Sequence, residues 1–221
     1  VKTESGTTDS AMLYNASATQ QSAKVHKANG AIATGKYPLD HLIIYWGNMR
    51  LLFEIDTKDY SQDGTKFIRP SVRSIIIRDG KIAMIHSLKY DYYKFPGGGI
   101  ENNESHIDAL TRETKEEAGL IIIPESIREY GYVHRVQKGK SEDMMIQDNF
   151  YYLCDAEETM CPQTLDDYEL EEKFTLEWVE PMTAIEINRK RNHGPKDKNM
   201  IEREAKVLEI LMVEISSLHR K

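Results

Sequence analysis

The feature that most constrains this chain is a run of three glycines, Gly97 to Gly99, followed closely by the acidic stretch Arg112-Glu113-Thr114-Lys115-Glu116-Glu117. Residues from about Ser105 to Ala118 read as a helix, with Ile107, Leu110 and Thr114 as its inner face and Gly119 as the left-handed residue after its end. On such a helix Glu113 and Glu117 stand one turn apart with Glu116 between them, so three carboxylates share an edge. Their mutual repulsion can be offset by solvation, by Arg112 and Lys115, or by a divalent cation. For a charged helix taken alone, a solvated acidic face is the simpler reading. A hard cation such as Mg²⁺ is the chemically specific one, since it takes a few carboxylates together with waters and phosphate oxygens.

The spacing favours the specific reading. Gly98 is followed by five residues and Glu104, then by seven residues and the segment from Arg112 to Leu120. This resembles the box of the Nudix (MutT-type) hydrolase family, G-x5-E-x7-R-E-U-x-E-E-x-G-U, where U is a bulky aliphatic residue. The fixed identities are all present, and at ordinary residue usage the chance match per starting position is roughly 10⁻⁸. Lys94-Phe95-Pro96-Gly97-Gly98 resembles the aromatic-x-Pro-Gly-Gly entry of the family. Leu176 to Val179, followed by Pro181 to Ile185, resembles its later Trp-containing strand and short helix. The resemblance covers about residues 50 to 215. Thr114 departs from it by standing at an aliphatic position, and its hydroxyl is expected to bond back to a helical carbonyl at small cost.

The resemblance implies an α/β fold, a Nudix-like α/β/α sandwich with a mixed β-sheet and helices on both faces. It implies a loop-helix-loop that binds Mg²⁺ or Mn²⁺. Glu113 and Glu117 would be principal ligands, Glu116 a further ligand or the base, and the Gly98 carbonyl would complete the shell. Arg112 would orient a carboxylate, and Glu104 would be its structural partner or an outer-sphere group. The implied activity is metal-dependent hydrolysis of a phosphoanhydride bond in a nucleoside diphosphate linked to another moiety. Two alternatives remain: a catalytically inactive nucleotide-sensing module on the same fold, which would have no reason to keep every acidic position, and an isomerase. The isomerase would call for a cysteine by the box, and neither Cys154 nor Cys161 is near it in sequence.

Other segments supply secondary candidates. Tyr92, Tyr93 and Phe95, with Tyr90, enter the glycine loop directly and are expected to include a ring that stacks on the nucleobase of a nucleotide-type substrate. In the acidic stretch Asp166 to Glu172, expected to be a loop, Glu171 and Glu172 are the picks for an additional ligand or base, against the simpler reading of a solvated acidic loop. Arg189 to Arg191 and Lys196 to Lys198 form a basic cluster, a phosphate contact or a solvated connector. His86, His134 and His193 have no metal-ligand spacing.

The chain has 221 residues, 40% hydrophobic and 29% charged, enough for one well-cored domain with appendages. A formal net charge of −7 with no basic stripe offers little to a long nucleic acid, so a phosphorylated substrate needs a cation as intermediary. The two cysteines match neither a redox pair nor a zinc site. No apolar run reaches the ~20 residues of a membrane span, so the default is a cytoplasmic protein, and the sequence leaves a homodimer open. Residues 1–48, rich in Ser, Thr, Ala and Asn, are expected to be a flexible leader, with Leu42 to Trp46 its apolar exception, and residues 49–221 the hydrolase domain. Within that domain, strands are expected at 50–55, 131–136, 147–154 and 174–179. A β-hairpin is expected over 71–87 around Asp79-Gly80, and an amphipathic helix over 198–218.

Overall fold

A computed structural model describes residues 49–101 and 103–218; the expected leader, including Leu42 to Trp46, lies outside them. In chain order the elements begin with β1 (Leu51–Asp56), β2 (Lys66–Ile68), β3 (Ser71–Ile75), β4 (Ile77–Arg78), β5 (Lys81–Ser87) and β6 (Tyr92–Lys94). They continue through α1 (His106–Ala118), β7 (Leu120–Ile122), β8 (Arg128–Gln137), β9 (Met144–Leu153) and β10 (Ala156–Met160). The last are α2 (Asp167–Glu172), β11 (Phe174–Val179), α3 (Pro181–Lys190) and α4 (Lys198–Leu218).

The main sheet is mixed. β8 and β9 pair antiparallel at its centre, β1 lies parallel to β8, and β2 and β3 lie parallel to successive stretches of β9. A second, antiparallel sheet runs β11-β5-β4, with β6 pairing the far end of β5 on the same edge as β4, and β7 pairs with β10. Side chains on a strand alternate between faces, and β3 shows what lies on each. Ser74 is bonded to Thr114 of α1, whereas Ile75 joins a core with Ala184 and Ile185 of α3 and Ala205, Leu208 and Leu211 of α4. Helices therefore cover both faces, as expected for this fold class.

The hairpin is shorter than its sequence suggests. Asp79 and Gly80 adopt positive φ and turn β4 into β5, but Ser71–Ile75 leaves for the main sheet and pairs with β9. One apolar run thus serves two sheets, which pattern alone does not reveal because no turn residue separates Ile75 at the end of buried β3 from Ile77 at the start of half-buried β4. α1 begins at Ser105, whose Oγ accepts from the Asp108 N–H at 3.1 Å, and ends at Gly119 with φ 68°. Its buried side is Ala109, Leu110, Thr114, Glu117 and Ala118, while Ile107 is 41% exposed, correcting the expected inner face at one position. Asp166 to Glu172 is corrected from loop to cap and helix: Asp166 and Glu169 form a reciprocal capping box at the start of α2.

Candidate active site

The glycine loop is fixed from three sides before it meets α1. Asn188 of α3 pairs with the Tyr93 backbone like a neighbouring strand, accepting from its N–H at 2.8 Å and donating to its carbonyl at 2.9 Å. Glu204 of α4 accepts from the Phe95 N–H at 3.3 Å, and β3 donates from Val72 to the Gly98 carbonyl at 3.0 Å. Gly97 has φ 134°, and a Cβ there would lie 2.2 Å from the Val72 carbonyl oxygen. At Gly98 a Cβ would lie 2.1 Å from Glu113 Oε2, so this glycine gives the carboxylate its room beside the loop backbone.

The three box carboxylates occupy different environments. Glu117 is 1% exposed; its Oε2 accepts from the Gly97 N–H at 2.8 Å, and its Oε1 meets the buried Lys94 ammonium. Burial pushes Glu117 up to about 7, with Lys94 and Arg73 pulling the other way. Glu113 is partly covered and Glu116 is the most open, its side chain 44% exposed. Arg112 Nη1 donates to both, at 2.9 Å to Glu113 and 3.1 Å to Glu116. Its Nε and Nη2 grip Glu104, and this pairing holds Glu104 well below the usual carboxylate range. Glu104 is therefore the partner of Arg112. Arg112 spreads Glu113 and Glu116 along its own edge, and among the described residues no three acidic, His or Cys side chains already converge on one point.

The opposite wall comes from the chain after β10. The Cys161 N–H bonds the Gly119 carbonyl at 2.9 Å and the Thr164 N–H bonds that of Glu116 at 2.8 Å, so the strand-like segment lies along the open end of α1. This lays Asp166 and Glu169 over the box. Together they enclose a cleft of about 490 Å³ lined by Glu101, Glu113, Glu116, Glu117, Asp166 and Glu169, with Arg69 and Arg112 as its cations. Arg69 packs against Gly99, where a Cβ would stand 3.2 Å from its Nε, and its side chain makes no ion pair or hydrogen bond among the described residues.

The donor set fits a hard divalent cation: several carboxylates face one cleft, glycine brings backbone close to Glu113, and six acids exceed two guanidiniums. Several sequence expectations are corrected here. Tyr92, Tyr93 and Phe95 are 2%, 4% and 0% exposed, so their faces are core surface and none can receive a base. The Tyr92 hydroxyl donates to Glu172 at 2.9 Å and that of Tyr93 to Glu177 at 2.7 Å. Glu172 is buried beneath Ser87, Tyr92 and Lys196, and Glu171 pairs with Lys89 at the surface, so neither reaches the cleft. In their place the same segment contributes Asp166 and Glu169; the first turn of α2 carries the site, which a loop reading could not phase.

Thr114 also differs from expectation, donating across to Ser74 Oγ at 3.0 Å instead of back to its own helix. Cys161 does lie beside the box in space, packed on Gly119, yet it is outside the cleft; Cys154 is buried and its thiol is pushed up to about 12 by burial. Of the basic cluster, Arg189 pairs with Glu202 and Glu209, Lys190 with Glu186 and Lys196 with Glu172. The three histidines are occupied structurally: His86 with Glu177 and Asp91, His134 with Asp148, and His193 with backbone carbonyls. Arg69 was missed because a lone arginine before Pro70 carries no pattern.

A family model for the NUDIX domain matches residues 68–203. Among curated proteins, an RNA pyrophosphohydrolase of Halorhodospira halophila is 42% identical over 53 residues, 24% of this chain and 29% of that protein. The corresponding protein of Xylella fastidiosa is 36% identical over 64 residues, 28% of this chain and 33% of that protein. The chain therefore spans only a minor part of the length of these relatives. Among solved structures, a MutT NUDIX hydrolase from Burkholderia pseudomallei is 18% identical with a TM-score of 0.45, covering 64% of this chain and 98% of that one. Among the described residues no helix is long and apolar enough to cross a membrane.

Proposed function

As the chain belongs to the Nudix family, we propose that it is a metal-dependent hydrolase that cleaves a phosphoanhydride bond in a nucleotide-type small molecule, a nucleoside diphosphate linked to another group. The observation that carries this reading is the cleft itself, in which Glu113, Glu116 and Glu117 of α1 share one space with Asp166 and Glu169. A site with this excess of negative charge repels a bare diphosphate unless a divalent cation intervenes.

Glu113, Glu117 and the remaining lone pair of the Gly98 carbonyl would hold Mg²⁺ or Mn²⁺, with Glu169 as a further acidic group across the cleft. The metal would neutralise charge on the phosphate oxygens. Glu116, the most open box carboxylate, keeps Oε1 clear of Arg112 and takes the proton of the attacking water. The water oxygen bonds to phosphorus as the bond to the bridging oxygen breaks, giving two phosphorylated products. Arg112 positions Glu113 and Glu116 by charged hydrogen bonds, and Arg69 pairs with a substrate phosphate.

The test is product release from a panel of nucleoside triphosphates, dinucleotide cofactors, nucleotide sugars and a 5′-triphosphorylated oligonucleotide, with and without Mg²⁺. The oligonucleotide arm addresses the activity named in the relatives from Halorhodospira halophila and Xylella fastidiosa. Magnesium-dependent release from at least one small nucleotide supports the reading. Release from the oligonucleotide alone would replace the substrate class, and silence across the panel would favour the inactive module.

A further inference from the structure

Lys94 is an unusual neighbour for a carboxylate expected to bind a dication. It is 7% exposed, its ammonium meets Oε1 of Glu117, and it also lies 3.4 Å from the Gly97 carbonyl and 5.1 Å from the Phe174 ring centroid. The Gly97 N–H holds the other oxygen of Glu117. One oxygen of this buried carboxylate thus has a hydrogen bond from the chain's own backbone, while the other, which accepts no hydrogen bond among the described residues, faces a full positive charge. Lys94 has no other acidic partner among the described residues. Arg73, also buried, adds a second cation to the field at Glu117.

We propose that Lys94 is a resident cation that competes with divalent metal for Glu117, so that this chain holds metal weakly until substrate phosphates add their own oxygens. The proposal rests on the metal-site reading above. Its physics is the repulsion between an ammonium and a dication sharing one carboxylate under low solvent exposure, where charges are poorly screened. In the metal-free chain the same ammonium keeps Glu117 neutralised and aimed at the glycine loop. Lys94 is accordingly a positioning group that sets metal affinity.

The test is Mn²⁺ binding to the full chain, followed by electron paramagnetic resonance of the free ion, in wild type, Lys94→Met and Lys94→Gln. Thermal melting with and without Mn²⁺ reports folding in parallel. The proposal predicts weak binding in wild type, roughly tenfold or more tighter binding in both variants, and a larger Mn²⁺-induced rise in Tm in the variants. Gln retains a hydrogen-bond donor without charge, so tightening in Met but not in Gln would assign the effect to packing and overturn the proposal. Unchanged or weaker binding in both variants, with wild type binding normally, would overturn it while leaving the metal site intact. Absence of binding in all three chains would overturn the metal-site reading and this proposal together.

Discussion

Arg112 grips Glu104 through two parallel hydrogen bonds, Nε to Oε1 and Nη2 to Oε2, each 2.8 Å long. The pair closes the loop between the glycines and α1, and Glu104 also accepts from the Glu101 N–H at 3.1 Å. With one end of the guanidinium held, Nη1 is left to aim Glu113 and Glu116. Arg112→Lys removes the planar fork and cannot make these contacts together. It should lower turnover by about tenfold, and Glu104→Gln should reproduce part of the loss because it breaks only the anchoring half. Steady-state kinetics on both variants checks the order.

Glu116→Gln and Glu117→Gln should separate function from stability. Glu116 is open, so its amide variant should melt within about 0.5 kcal/mol of wild type and lose turnover by ~10² or more. Glu117→Gln strands the buried Lys94 ammonium and should cost about 3–5 kcal/mol as well as activity. Chemical denaturation of the two variants distinguishes them.

Tyr92→Phe is expected to act on stability alone. The hydroxyl it removes donates to the buried Glu172, which also meets Lys196 and Ser87. A loss of about 1.5–3 kcal/mol should follow, with KM unchanged, whereas Arg69→Ala should raise KM about tenfold with kcat little altered. A rise in KM for Tyr92→Phe would return that segment to the substrate site.

How legible the site was in sequence depended on whether one residue's role is fixed by local spacing. The box on α1 was, since helical spacing gathers Glu113, Glu116 and Glu117 on one edge and the resemblance to the Nudix box, which includes Glu104 ahead of the helix, tells that edge from a solvated acidic face. The tyrosines before the glycines were not. An aromatic run leading into a loop reads equally as platform or core, and here Asn188 holds β6 inside the protein. Asp166 and Glu169 depended on a long-range event, the docking of residues 161–164 on the end of α1, and on the capping box that turns an acidic stretch into a helix start. The division of 71–77 between two sheets was hidden because Ile75, Ile76 and Ile77 form one apolar run with no turn residue to mark where β3 ends and β4 begins.

The His134–Asp148 pair gives a pH dependence outside the cleft. Burial lowers His134, but the 2.6 Å contact with Asp148 and the nearby Glu54 and Asp56 outweigh it, and its folded value is raised. A raised histidine contributes stability that is full below its unfolded value of about 6.5 and is lost as pH rises through the higher folded value. Asp148→Asn should flatten that stretch of the stability profile. Denaturation midpoints from pH 5 to 9 and the imidazole NMR titration read it directly.

Metal-assisted hydrolysis at the α1 carboxylates, as proposed above, is open to direct measurement. The most direct measurement is turnover of the best nucleotide in the panel as Mg²⁺ is titrated, for wild type and Glu116→Gln side by side. Expected are no turnover in excess chelator, a saturable rise with Mg²⁺ in wild type, and a rate lower by ~10² or more in the variant at saturating metal. Turnover that persists without metal, or a folded Glu116→Gln protein as fast as wild type, would contradict it.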